Sequence, residues 1–176
     1  MKAKSKITQA QTIEDLFDAL KKAEQIVSAI GCPPLTRVDD IQTLFIANKL
    51  GHQVVSNWRG QQTITADGLL CKYLFKSSSQ QRFQLGGITD KDAVNRIVSR
   101  FKDAKGGIYF AVCDGIISFR PIVIKLPPEK MIEEIKRQLG ELKFVKGTSL
   151  DYRRNISIGD VFLQKSGEEI NLTDLV

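Results

Sequence analysis

From Thr12 onward apolar residues recur at Ile13, Leu16, Phe17, Leu20, Ala23, Ile26, Val27 and Ile30, the spacing of one face of an α-helix. Thr12 supplies an N-cap hydroxyl and Gly31 a stop. Cys32-Pro33-Pro34 then breaks the chain, and Thr36 or Asp39 opens a second helix through Ile41, Leu44, Phe45 and Ala47, closed by Gly51. The pattern next shortens to β-type runs, Gln53–Asn57, Thr63–Ala66 and Leu69–Ser77, separated by the polar Arg59-Gly60-Gln61-Gln62 and by Asp67-Gly68. These predict a meander of three strands. A Ser/Gln-rich loop and Gly86-Gly87 follow, and Ala93, Val94, Ile97, Val98 and Phe101 restore helical spacing over Asp90–Lys102.

Ile108–Cys113 is a continuous apolar run between Gly106-Gly107 and Asp114-Gly115, as expected of a strand buried on both faces at the centre of a sheet. Asp114-Gly115 leads through a hairpin into Ile116–Ile124, and Pro127-Pro128-Glu129 opens a helix to about Leu139. The tail from Phe144 holds two or three weak strand patterns. The order of elements predicts an α/β fold, a mixed central β-sheet flanked by helices. With 176 residues, no internal repeat and no linker, one domain over residues 1–176 is expected.

Composition narrows the function classes. The chain is 42% apolar and 26% charged, which fits a globular protein and excludes a disordered or fibrous one. Twenty-six Lys and Arg against 20 Asp and Glu leave a net charge of +6, a field that favours polyanionic partners. No window approaches 18 consecutive apolar residues, so no membrane association is expected. Cys32, Cys71 and Cys113 are odd in number and widely spaced, which disfavours a disulfide framework or a Cys-x-x-Cys metal site and points to a reducing, cytoplasmic setting. The chain has no phosphate-binding GxxxxGK[ST] loop, GxGxxG, GxSxG or HExxH motif. Its one histidine, His52, follows the second helix, where a last-turn structural role is expected.

What remains is carboxylate and lysine chemistry. Asp67 lies ahead of a strand pattern that carries Lys76, and a carboxylate beside a lysine across a tight turn could hold Mg²⁺ and polarise a water at a phosphodiester. Leu74 and Lys76 share one face of that strand by its period of two. Asp67-Gly68 is equally a turn dipeptide, as Asp114-Gly115 is further along.

Between Arg37 and Pro121 the succession of an acidic helix start, the Asp67 hairpin, Phe75-Lys76-Ser77-Ser78, a helix and an apolar strand resembles the PD-(D/E)xK superfamily of restriction-endonuclease-like nucleases. The resemblance implies a restriction-endonuclease-like fold and a Mg²⁺-dependent, sequence-specific endonuclease acting on double-stranded DNA as a homodimer. Asp67 and Lys76 would be catalytic, and Asp67, Asp40 and the Phe75 carbonyl would hold the metal. The family's acid falls on Leu74, which cannot bind a hard cation. Three alternatives follow: Asp39 or Asp40 on the second helix replaces the acid, the chain is an inactivated form, or it is a DNA-binding module or partner subunit that does not cut. Leu74→Glu is expected to create or greatly strengthen Mg²⁺-dependent cleavage, because it adds a second carboxylate on the Lys76 face. A further alternative is an interaction domain with no nucleic-acid role.

By residue type, Arg59, Ser77, Ser78, Gln81, Arg82, Arg153 and Arg154 are the expected DNA contacts, Arg and Gln suiting base edges and Ser suiting phosphates.

Overall fold

A computed structural model describes residues 9–29, 38–54, 62–88, 91–115, 118–140 and 154–174. The elements are α1 (Gln9–Ala29), α2 (Val38–Lys49), β1 (Gln53–Val54), β2 (Gln62–Ile64), β3 (Leu70–Lys76), β4 (Arg82–Ile88), α3 (Lys91–Lys102), β5 (Gly107–Cys113), β6 (Phe119–Leu126), α4 (Pro128–Gly140), β7 (Arg154–Gly159), α5 (Asp160–Ser166) and β8 (Glu168–Asn171). They form a mixed α/β arrangement. Its six-stranded sheet has the order β1-β2-β3-β5-β6-β8, and β4 pairs with β7 in a separate two-stranded ribbon.

The first three strands form the expected antiparallel meander, with Gln62 opposite Lys72 and Ile64 opposite Leu70. β3 then runs parallel to β5, Lys76 standing opposite Val112. A parallel neighbour requires a crossover, and β4 with α3 supplies it. β5 lies inside the sheet and is buried at six of its seven positions, which explains its unbroken apolar run.

The alternation along β3 divides the core. Leu74 packs on one face with Phe83, Ile97, Phe101, Phe110, Ile135 and Ile158, side chains drawn from the ribbon, α3, α4 and β5. Phe83 and Phe110 meet edge to face at 5.0 Å, a geometry that adds about 1 kcal/mol beyond burial. Cys71 and Tyr73 point to the other face, where Ile46 and Ala47 of α2 cover them together with Tyr109, Ala111 and Val123. Phe75 packs on that second face as well.

One sequence expectation changes here. The stretch read as a Ser/Gln-rich loop followed by Gly86-Gly87 contains strand β4, while its partner β7 is one of the strands expected in the weakly patterned tail. Gly86 sits at a register shift with φ +131°, so the glycine that reads as a loop signal marks a bulge inside a strand. The second half of the Gln53–Asn57 run and most of the tail before Arg154 lie outside the described residues.

Candidate functional site

β3 and β5, being parallel, end on the same side of the sheet, and Lys76 is the last residue of β3. The strand's period of two turns it to the ribbon face, along with Lys72 and Leu74. Only 5% of Lys76 is exposed. Its ammonium donates to both carboxylate oxygens of Asp160 at 2.6 Å and to the Gln81 carbonyl at 3.4 Å. The three protons thus have acceptors, as a buried ammonium requires. The Phe83 ring, with its centroid 4.9 Å from Nζ, adds a cation–π contact. Asp160 opens α5 directly after β7, and its side chain remains 52% exposed.

Asp67 occupies a different place. It lies in the turn before β3, where Gly68 N–H bonds the Thr65 carbonyl at 2.9 Å and Thr65 N–H bonds the Leu69 carbonyl at 2.9 Å. The Thr65 hydroxyl donates to the Asp67 carboxylate, which holds that carboxyl below its usual range. Gly68 takes φ +80°, the left-handed conformation such a turn demands. Leu70 and Lys76 are six residue steps apart, so about 20 Å of extended chain separates the turn from the lysine. The expected side-by-side arrangement of Asp67 and Lys76 is therefore not formed: a hairpin with its turn at Asp67 sends the lysine to the strand's far end.

The carboxylates of α2 are also displaced from Lys76. Asp39 and Asp40 lie in the first turn of α2, a helix that packs on the Cys71–Tyr73 face, whereas Lys76 points to the opposite face. Gln42 anchors this helix start to the end of β5 by donating to the Gly115 carbonyl at 3.1 Å. Asp67 lies in the turn before β3 and Phe75 near the strand's other end, so these two do not converge on one cation. Among the described residues no group of three or more His, Cys, Asp or Glu could hold a metal ion. The expected set of Asp67, Asp40 and the Phe75 carbonyl is not assembled at one point, because Asp67 stands at the other end of β3.

Beyond Lys76 the chain projects as an exposed polar segment. Ser78, Ser79, Gln80, Gln81 and Arg82 are all exposed, and Ser77 is half-buried. Ser77 N–H bonds Gln80 Oε1 at 3.0 Å, and Ser78 N–H bonds Asp114 Oδ1 at 3.1 Å. Those Ser78 hydrogen bonds hold the Asp114 carboxyl below its usual range. Arg154 is the first residue of β7, opposite Ile88. Arg59 and Arg153 lie outside the described residues.

Two features are absent from the sequence-based expectations. Asp160 is one: it lies 84 positions from its partner, and its only local signal is an acid following Gly159 at the start of a short helix. The other is a polar chain under α2. His52 Nδ1 lies 2.5 Å from the Tyr73 hydroxyl, which lies 2.8 Å from Thr63 Oγ1. The Tyr109 hydroxyl lies 3.5 Å from His52 Nε2 and donates to the Gly106 carbonyl at 3.1 Å. One assignment satisfies every group: Thr63 donates to Tyr73, Tyr73 to His52 Nδ1, His52 Nε2–H to Tyr109, and Tyr109 to Gly106. Burial, with Lys125 nearby, lowers the pKa of His52 and keeps the ring neutral. Burial also pushes the Cys71 thiol up to about 11, which makes it a packing residue rather than a nucleophile.

Compared with protein-family models and with curated proteins, the chain matches none.

Proposed function

We propose that this protein is a double-stranded-DNA-binding module on a restriction-endonuclease-like scaffold that does not itself hydrolyse the phosphodiester. The reading keeps the polyanion preference of a +6 chain and the resemblance of the α2–β5 region to PD-(D/E)xK nucleases, and it gives up catalysis. One observation carries it. At the end of β3 the lysine that would activate water is buried against Asp160, while the side chains beyond it, from Ser78 to Arg82, are exposed donors without a carboxylate among them.

A nuclease of this type needs an acid, a metal and a cationic group at one phosphate. Here Leu74 is packed in the core, Asp67 serves a turn, and the charge of Lys76 is already neutralised. Ser and Gln donors with Arg82 suit contacts to phosphates and base edges. The homodimer that a restriction enzyme would use for two strands is not required by this reading.

The deciding experiment measures fluorescence anisotropy of labelled duplex DNA with the full chain, across salt concentrations, with Mg²⁺ and with a chelator. The expected result is metal-independent binding that weakens steeply with salt, together with uncut supercoiled plasmid in both conditions. Mg²⁺-dependent cutting would restore the nuclease reading, and no binding even at low salt would favour an interaction domain without a nucleic-acid role.

A further inference from the structure

The β4/β7 ribbon has two faces of different chemistry. Phe83, Leu85, Ile156 and Ile158 bury one face in the core. Arg82 and Gln84, offset by one residue, are exposed on the other, while Ser157, which stands opposite Gln84, is buried. Neither strand contains an Asp or Glu, and the acid-free stretch around β4 runs from Gly68 through Thr89.

The ribbon is also held rigidly at both edges. Gln138 of α4 brackets the β7 backbone, donating to the Ser157 carbonyl at 2.9 Å and accepting from Ser157 N–H at 3.4 Å. Arg100 of α3 donates to the Leu85 carbonyl of β4 at 3.3 Å. On the outward face the β4 side, with Arg82 and Gln84, is the part open to a partner. Arg82 lies across Gly159 of β7, where a Cβ would meet its Nε at 3.6 Å and its Nη2 at 3.7 Å. Glu134, on which Arg82 acts electrostatically, is gripped by Arg137 through two hydrogen bonds of 2.7 Å, and Asp160, next to Gly159, is held by Lys76.

We infer that this ribbon is the element that enters the major groove of duplex DNA, with Arg82 and Gln84 directed at base edges. The inference rests on the DNA-binding reading above and assigns its recognition surface. The groove of B-form DNA is about 12 Å wide and admits a two-stranded ribbon, whereas the major groove of an A-form RNA helix is too narrow. Residues two apart on a strand are separated by about 6.8 Å, close to two base-pair steps of about 3.4 Å each. Arg pairs bidentately with guanine and Gln with adenine, so the ribbon presents a guanine reader and an adenine reader two base pairs apart. The bulge at Gln84/Gly86, with φ +131° at Gly86, turns the strand just beyond Gln84.

The test selects bound sequences from a randomised duplex library with the full chain and with Gln84→Ala, Arg82→Lys and Arg82→Ala, all checked for fold by circular dichroism. The wild type is expected to enrich guanine and adenine two base pairs apart. Gln84→Ala should lose about 10-fold discrimination at the adenine position alone. Arg82→Lys should keep overall affinity while losing the guanine preference, and Arg82→Ala should lose both, with the salt slope falling by no more than about 1. If the wild type binds and all three variants bind and select as it does, the ribbon assignment falls and the DNA reading stands. A wild type that binds no duplex overturns both. Equal binding of an RNA duplex with the same dependence on Arg82 and Gln84 overturns the major-groove assignment.

Discussion

Lys76 and Asp160, 84 positions apart in the chain, meet through two 2.6 Å contacts that tie the end of β3 to the start of α5. The lysine is buried and the aspartate half-exposed, so removing the two partners has unequal consequences. Asp160→Ala strands a buried ammonium and should cost about 2–3 kcal/mol, below the full penalty for a buried pair because water reaches the vacated side. Lys76→Met in the same background should recover most of that loss, because an apolar chain of similar length suits the Phe83 ring. Urea denaturation of both variants measures this, and equal stability of the single and double variants would contradict it.

The parts of the fold with strong local patterning were legible from the residues alone. β5 is an unbroken apolar run because both of its faces are covered, and α4 begins at Pro128 as the Pro-Pro-Glu signal implies. β4 was hidden because Gly86 and Gly87 resemble a loop, and its partner β7 is remote in sequence. The arrangement at the end of β3 is hidden for a related reason. Asp67-Gly68 means a turn or a metal ligand depending on how far the following strand runs before its lysine, and β3 runs seven residues. The Lys76–Asp160 pair has no local signature, since it exists only when β7 folds back beside β4.

Leu74→Glu, which restores the acid expected of a PD-(D/E)xK nuclease, should not produce cleavage. Leu74 packs against the buried cluster on the ribbon face, so a carboxylate there would be desolvated beside an ammonium already neutralised by Asp160. The expected outcome is a loss of about 2 kcal/mol in stability, with supercoiled DNA left intact in Mg²⁺. Fragments from this variant would show that Lys76 can exchange Asp160 for a metal-bound water.

Gly68→Ala isolates the turn that holds Asp67. Nothing lies within 4 Å of a Cβ placed there, so the cost comes from the backbone at φ +80° and not from collision. About 1 kcal/mol is expected for alanine and less for asparagine, which tolerates the left-handed region. A lowered urea midpoint with an unchanged m-value, and DNA binding equal to wild type, would support a purely architectural Asp67-Gly68. Loss of binding in the stably folded variant would place this turn in the functional surface.

His52 should make stability depend on pH in a direction that burial fixes. The ring's pKa is lowered in the folded chain, first by desolvation and then by Lys125, while in the unfolded chain it stays near 6.5. Above that value both states are neutral at this residue and it adds no slope. As pH falls through it, the unfolded chain takes up a proton that the folded chain resists, so stability declines until the folded ring is protonated too. The slope cannot exceed about 1.4 kcal/mol per pH unit. Protonation at Nδ1 also removes the acceptor of the Tyr73 hydroxyl, so Tyr73 must accept from the ring and donate to Thr63, while the bond from Nε2–H to Tyr109 keeps its direction. The difference in unfolding free energy between wild type and His52→Gln from about pH 7 to pH 5 separates this group from the carboxylates. A narrowing advantage for the wild type as the solution is acidified is expected, and parallel curves would show that the ring titrates identically in both states.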